Sequence, residues 1–244
     1  DRYPLPANLT ALYSWASRPR AGPQPEYSVQ HAEQMSPAAQ LGEIMDRRER
    51  VLTALKGGIP DRPPLAFHSR PHALDGVLRH YGAKSVDDLY SIAGIDGFNV
   101  WEPQNAVMPA YTGERQATED GRLLDFWGSC SQISFGLGNC NTIQALKKHR
   151  WPTADGFDYS QVHARAIDIK AQDQVVAAGH IGLGYQKHNE LRGNEKALYD
   201  VTDPEYMRIY TEKILEFTLE YLERLLTAAR GEIDIVRSDD DVGS

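Results

Sequence analysis

The chain has 244 residues, enough for one sizeable core and close to the ~250 residues of a single α/β barrel. Its 41% hydrophobic and 25% charged residues are ordinary for a soluble domain, and a net charge of −8 argues against a nucleic-acid partner, which wants clustered Lys and Arg. No apolar run approaches the roughly 18 residues of a membrane span, and the first residues lack the basic-then-apolar pattern of a secretory leader, so the expectation is a cytoplasmic protein with no membrane partner.

Residues 1–40 are rich in Pro, Ala, Ser and Gln, and Pro4, Pro6, Pro19, Pro23, Pro25 and Pro37 break any long element. The stretch reads as an extended arm gripping a partner subunit, or as a loose tail. The main domain is expected over 41–244. Ile44, Val51, Leu52 and Leu55 share a helix face, and Gly57-Gly58 stops that helix. Pro63 and Pro64 lead into a short buried strand, Leu65–Phe67. His68, Ser69, Arg70 and His72 form a polar cluster at its far end. Leu74, Val77, Leu78 and Tyr81 return as a helix that Gly82 closes. Ser85 and Asp88 make a capping-box start for the next helix, with Leu89 and Ile92 facing inward. Gly97–Trp101 is the second strand, followed by Glu102 and Asn105.

Residues 106–150 are expected to be a β-rich excursion. Asp120-Gly121 signals a hairpin turn, and Gly128, Gly136 and Gly138 mark others. Cys130 and Cys140 are too few for a disulfide framework; they read as reduced thiols, with a cross-hairpin bridge as the alternative. Ser160 is the expected N-cap of a helix reaching about Gln172. Gln174–His180 is the third strand, and Gly193-Asn194 opens another helix. Asp203 with Pro204 begins a long helix whose buried stripe is Met207, Tyr210, Ile214, Phe217, Tyr221 and Leu225. It ends at Arg230-Gly231. Ile233, Ile235 and Val236 then form the fourth strand, which runs into Asp239, Asp240 and Asp241.

Strand and helix alternate four times, which predicts a parallel sheet with right-handed crossovers. The expected fold is a (β/α)8 TIM barrel, of which these residues supply the first four βα units plus a hairpin excursion. Further chain or another subunit is expected to complete the sheet, because open parallel edges are poor isolated states. Such barrels keep their chemistry at the C-terminal ends of the strands. The candidate catalytic residues are therefore Asp240 and Asp241, as acid/base groups, and His180 as a proton shuttle. The plainer alternative for the Asp run is a helix cap or a solvated loop. His68, Arg70 and Glu102 are candidate substrate contacts. His68 and His72 have i,i+4 spacing, but Pro71 between them argues against a metal pair. Trp101, Trp127 and Trp151 read as packing, and His149, His163 and His188 as surface residues.

Several stretches taken together resemble a known family. Arg48-Glu-Arg-Val-Leu-Thr-Ala-Leu-Lys56 followed by Ile59-Pro-Asp-Arg-Pro-Pro64 resembles the opening of the uroporphyrinogen decarboxylase superfamily. Glu119-Asp-Gly-Arg-Leu-Leu-Asp-Phe-Trp-Gly128 and Arg150-Trp-Pro-Thr-Ala-Asp-Gly-Phe-Asp-Tyr159 are similar to a branch associated with corrinoid-dependent methyl transfer. Leu191-Arg-Gly, Asp203-Pro-Glu and Ile233-Asp-Ile-Val continue in the same order. The family's fold is a (β/α)8 barrel. True uroporphyrinogen decarboxylases follow the first strand with Met-Arg-Gln-Ala-Gly-Arg, whose arginines hold substrate carboxylates. The matching Phe67-His-Ser-Arg-Pro-His72 has one arginine, so a substrate with eight carboxylates would lose most of its clamp. The family's catalytic Asp after strand two has no clear match; Glu102 is the nearest acid. The resemblance thus implies an enzyme passing a methyl group between a corrinoid (cobalamin) protein and an acceptor at the barrel mouth. No tightly bound cofactor is implied, and a thiol-activating zinc would come only from chain not present here. Decarboxylation of a tetrapyrrole, and a non-catalytic half-barrel subunit forming a homo-oligomer or pairing with a complementary chain, are the alternatives.

Overall fold

The structure, a computed structural model, describes residues 45–69, 71–98, 104–130, 134–179, 184–238 and 240, with backbone only at 71 and 72. These belong to one unit, Ile44–Ser244; the expected arm over 1–40 lies outside the described residues. Asp46 caps the first helix, α1 (Arg47–Leu55), by accepting the Glu49 N–H at 2.6 Å. Gly57, at φ 80°, follows its end. Val51 is buried as expected, but Leu55 is 60% exposed. Charged residues fix the inward face instead: Arg50 is 4% exposed.

Helices α2 (Pro71–Tyr81) and α3 (Val86–Ala93) pack together. The Ser85 hydroxyl accepts the Asp88 N–H at 3.1 Å, and the Asp88 carboxylate reaches back to the Lys84 N–H at 2.8 Å. Leu89, Tyr90 and Ile95 form a small core with Phe67, Val77 and Leu78. Ile92, expected inside, is 51% exposed, because Tyr90 takes the inward position. Leu65–Phe67 is not a named strand, and Leu65 is 46% exposed. Its carbonyl still accepts the Asp96 and Gly97 N–H groups at 2.9 and 3.2 Å.

The parallel sheet lies where the third and fourth strands were expected. β3 (Ala177–Gly179) pairs with β4 (Ile235–Arg237), Ala177 opposite Ile235 and Gly179 opposite Arg237. On its other side β3 makes a parallel bridge to Ala106, through Val107 N–H to Ala177 O at 2.9 Å and Ala177 N–H to Asn105 O at 2.8 Å. That bridge falls beyond the expected second strand, Gly97–Trp101, part of which lies outside the described residues. Val175–Ala178 are all buried, the continuous apolar run of a strand covered on both faces. Gly179, at φ 109°, meets the Arg237 backbone so closely that a Cβ would overlap its carbonyl oxygen.

Residues 106–150 hold less sheet than expected. β1 (Ala110–Tyr111) pairs antiparallel with β2 (Phe157–Asp158). The Asp120-Gly121 turn forms: Thr118 N–H donates to Arg122 O at 2.8 Å, and Gly121 has φ 85°. The excursion also contains a helix, α4 (Ile143–Lys148), capped by Thr142 at 3.1 Å to the Ala145 N–H. Cys130 and Cys140 are free thiols.

Helix α5 (Val162–Lys170) starts two residues after the expected cap. Gln161 occupies the cap position without a side-chain bond to the helix, while the Ser160 N–H goes to the Asp158 carboxylate at 2.8 Å. Two short helices follow β3, α6 (Tyr185–Arg192) and α7 (Asn194–Asp200); the first was not expected. The longest helix, α8 (Pro204–Ala229), carries the main core. Tyr210, Ile214, Phe217, Tyr221 and Leu225 are buried as expected; Tyr206 replaces Met207 as the most buried residue of the first turn. Its rings meet Phe126, Trp127 and Phe157, and Tyr111 joins the cluster through Phe126 and Phe157. Asp203 caps α8, accepting the Glu205 and Tyr206 N–H groups at 3.1 Å each. Asp203→Ala is expected to lower stability by ~1 kcal/mol, read from the midpoint of urea unfolding with the slope unchanged. Among the described residues no helix is long and apolar enough to cross a membrane.

Candidate functional site

Asp240 sits just past the end of β4, and its carboxylate accepts the Tyr185 and Gln186 N–H groups at 2.9 and 2.8 Å. It therefore caps α6, the helix that follows β3, as a carboxylate at a helix N-terminus does. A Cβ on Gly184 would overlap the carboxylate, so glycine there permits the approach. The plainer alternative for this Asp is thus what its geometry displays, and it ties the C-terminal ends of β3 and β4 together. His68 is exposed beyond Phe67. Arg70, Glu102, His180 and Asp241 lie outside the described residues, as do Asp239 and the His72 side chain.

A set of charged residues pairs away from Asp240, one pair just before β4 and the others around Asp96. Arg48 grips Asp234 with two bonds, 3.0 and 2.6 Å, and Asp234 also accepts the Val176 N–H at 2.9 Å. Burial works to raise the Asp234 carboxyl, but Arg48 and that N–H outweigh it and hold it below its ordinary range. Arg50 grips Asp61 at 2.6 and 2.9 Å and reaches Asp96 at 2.5 Å. Asp96, 0% exposed, also takes two bonds from Arg62, 2.7 and 3.0 Å, and the Leu65 N–H at 2.8 Å. The bond from Arg50 holds Asp61 down to about 2. These pairs join α1, the Ile59–Pro64 turn, the chain at Asp96 and the residues just before β3 and β4.

A second buried cluster surrounds the Leu191-Arg-Gly stretch. Arg192 binds Asp200 at 2.6 and 3.2 Å, Leu137 O at 3.0 Å and Asn141 Oδ1 at 3.1 Å, with Tyr206 5.5 Å below its guanidinium. His188, expected at the surface, is 0% exposed; its Nε2 lies 3.2 Å from Asp200 and its ring 4.5 Å from Tyr210. Burial pushes the His188 imidazole below its ordinary value, so the folded state holds it neutral. The unfolded chain then binds the extra proton first, and stability falls as pH drops through the unfolded value of ~6.5. His149 is lowered by burial in the same sense. Urea midpoints are expected to fall between pH 7 and 5, with His188→Gln removing part of that slope. Asp61 acts in a separate window, below about pH 4.

The stretches over residues 119–128 and 150–159 close on one cleft of about 480 Å³. Tyr111, Phe126, Trp127 and Trp151 supply its rings, and Glu114, Asp125, His149 and Arg150 its polar groups. Trp151 is held by its Nε1–H to Leu146 O at 3.4 Å and by the edge of His149, 5.1 Å away. A Cβ on Gly136 would overlap the Trp127 carbonyl, so the chain folds tightly behind the cleft. Asp125 accepts the Trp127 and Ser129 N–H groups at 2.9 and 2.8 Å. It faces the cleft yet is enclosed by protein on its other sides, and this desolvation raises its carboxyl, against the pull of those N–H groups and of Lys187. Lys187, in the first turn of α6, lies 5.9 Å from the Trp127 ring. The cleft thereby adjoins the helix that Asp240 caps. Sequence reasoning took Trp127 and Trp151 as packing and His149 as surface; the signal it passed over was that both stretches place acid or base beside tryptophan. Among the described residues no group of three His, Cys, Asp or Glu is placed to hold a metal ion. No family model matches the chain, and no match is found among curated proteins or solved structures.

Proposed function

We propose that the chain is part of a uroporphyrinogen decarboxylase-like barrel enzyme that passes a methyl group between a corrinoid and an acceptor. The observation that carries the reading is the order of the parallel segments: Ala106, β3 and β4 are neighbours in chain order, as successive βα units require. The Arg48–Asp234 pair supports it, because it fastens α1 to the start of β4 and leaves the opposite end for chemistry. In this reading the corrinoid is a co-substrate borne by a partner protein. The cobalt–carbon bond breaks with its electron pair left on cobalt, and the acceptor's nucleophilic atom takes the methyl group. The acceptor's proton leaves to a base at the strand ends, for which Asp241 and His180 are the candidates. Asp240 positions α6 and so shapes that face.

The test is the absorbance of methylcobalamin mixed with the full chain and a panel of thiol and amine acceptors. Loss of the methyl-cobalt spectrum that requires both chain and acceptor supports the reading; an unchanged spectrum with every acceptor overturns it. The second reading, a non-catalytic subunit, is favoured by one observation. Among the described residues β4 pairs with β3 alone, and Val236 is 49% exposed. It expects tight homo- or hetero-oligomerisation and tolerance of changes at Asp240 and His68.

A further inference from the structure

The cleft at the two motif stretches has a chemistry of its own. Its volume, about 480 Å³, is that of a small-molecule site. Its formal charges are unequal: Glu114 and Asp125 face one guanidinium, Arg150. His149 adds no charge near neutrality, because burial lowers its imidazole. The nearby ammonium of Lys187 is already matched by Glu190. The rings of the cleft draw cations from outside it as well. Arg115 lies 5.8 Å from the centre of the Tyr111 ring and Lys187 5.9 Å from that of Trp127. Aromatic faces and carboxylates both favour positive charge, while an anion would meet two carboxylates for one arginine.

We propose that this cleft binds an organic ammonium cation with an apolar body, its charge held by Glu114 and Asp125 and its alkyl groups against Tyr111, Trp127 and Trp151. A quaternary or tertiary ammonium suits the site better than a primary one. Its charge is spread over methyl groups that pack on aromatic rings, and little hydration is lost when it enters. The walls are preorganised: Trp151 is bonded to Leu146 O and backed by His149, and the Asp125 carboxylate is fixed by two backbone N–H groups. The assignment stands independently of methyl transfer, because it rests on the cleft and not on the strand ends.

The experiment is calorimetric titration of the full chain with choline, with its neutral isostere 3,3-dimethylbutan-1-ol, and with the anion 3,3-dimethylbutanoate. Choline is expected to bind at least tenfold tighter than the alcohol, and the anion weakest of the three. Glu114→Gln is expected to weaken choline several-fold, Asp125→Asn about tenfold, and Arg150→Gln to tighten it. Because Asp125 also fixes the Trp127 and Ser129 backbone, its variant is read only if its circular dichroism matches the parent. Glu114→Gln and Arg150→Gln, both at exposed positions, decide the matter otherwise. Equal binding of alcohol and choline, tighter binding of the anion, or no binding of choline overturns the proposal.

Discussion

Asp96→Ala is expected to destabilise the chain by ~3–5 kcal/mol. The carboxylate is fully buried and is the point where three segments meet: α1 through Arg50, the Pro-rich turn through Arg62, and the following chain through the Leu65 N–H. Its removal leaves the buried Arg50 guanidinium, 5% exposed, with Asp61 as its one carboxylate and Met45 O as its other acceptor, empties the Nη1 position, and strands a backbone donor. An uncompensated buried charge costs more than the pair itself contributes. Asp96→Asn separates the parts. It keeps the volume and one acceptor for Leu65, so a loss close to that of alanine assigns the effect to charge. A loss near 1 kcal/mol assigns it to the backbone bond. Urea unfolding measures both, and the double variant Asp96→Asn with Arg50→Met recovers part of the loss if the stranded guanidinium is the cause.

Arg192→Met is expected to cost a similar ~3–5 kcal/mol, by a different route. Here one side chain gathers α6, α7 and the 137–141 turn. It binds both oxygens of Asp200, two backbone carbonyls and the Asn141 amide oxygen. Methionine fills much of the volume but satisfies none of these acceptors, and Asp200 becomes a half-buried charge beside a neutral His188. The protonated form of His188 then gains a partner it no longer shares. The pH dependence between 7 and 5 is therefore expected to flatten in this variant along with the drop in stability. Arg192→Lys restores the charge without the fork and is expected to recover less than half of the loss. The unfolding midpoint and hydrogen exchange of the 137–141 amides are the readouts.

What was legible in the sequence was local. Asp203-Pro at the start of α8, the stripe from Tyr210 to Leu225, Ser85 before α3 and the Asp120-Gly121 turn are short-range codes, in which the residue and its structural cause are within a few positions. The third strand was legible because its apolar run, Val175–Ala178, is buried on both faces, and the fourth because its apolar run is β-branched, although Val236 is 49% exposed. What was not legible depends on distant partners. Nothing near Asp96 in sequence announces that Arg50 and Arg62 converge on it. His188 reads as polar, and only Asp200 and the rings of Tyr206 and Tyr210 make its burial acceptable. Leu55 and Ile92 had the right spacing for the interior but lie outside, since Arg50 and Tyr90 fill the inward positions. Asp240 was picked out as an acid at a strand end, correctly placed there, and its two bonds to α6 show why an acid is useful at that point without any chemistry. The cleft escaped notice because its two walls are separated by some twenty residues of chain that includes α4.

In the proposed reading, methyl transfer occurs at the C-terminal ends of the parallel strands. Its most direct test is to supply a corrinoid carrying a carbon-13 methyl group to the full chain with candidate acceptors and to follow the label by mass spectrometry. The account predicts that the label appears on one acceptor class only when the chain is present. Label remaining on the corrinoid with every acceptor, while a porphyrinogen given to the same preparation releases carbon dioxide, would contradict it.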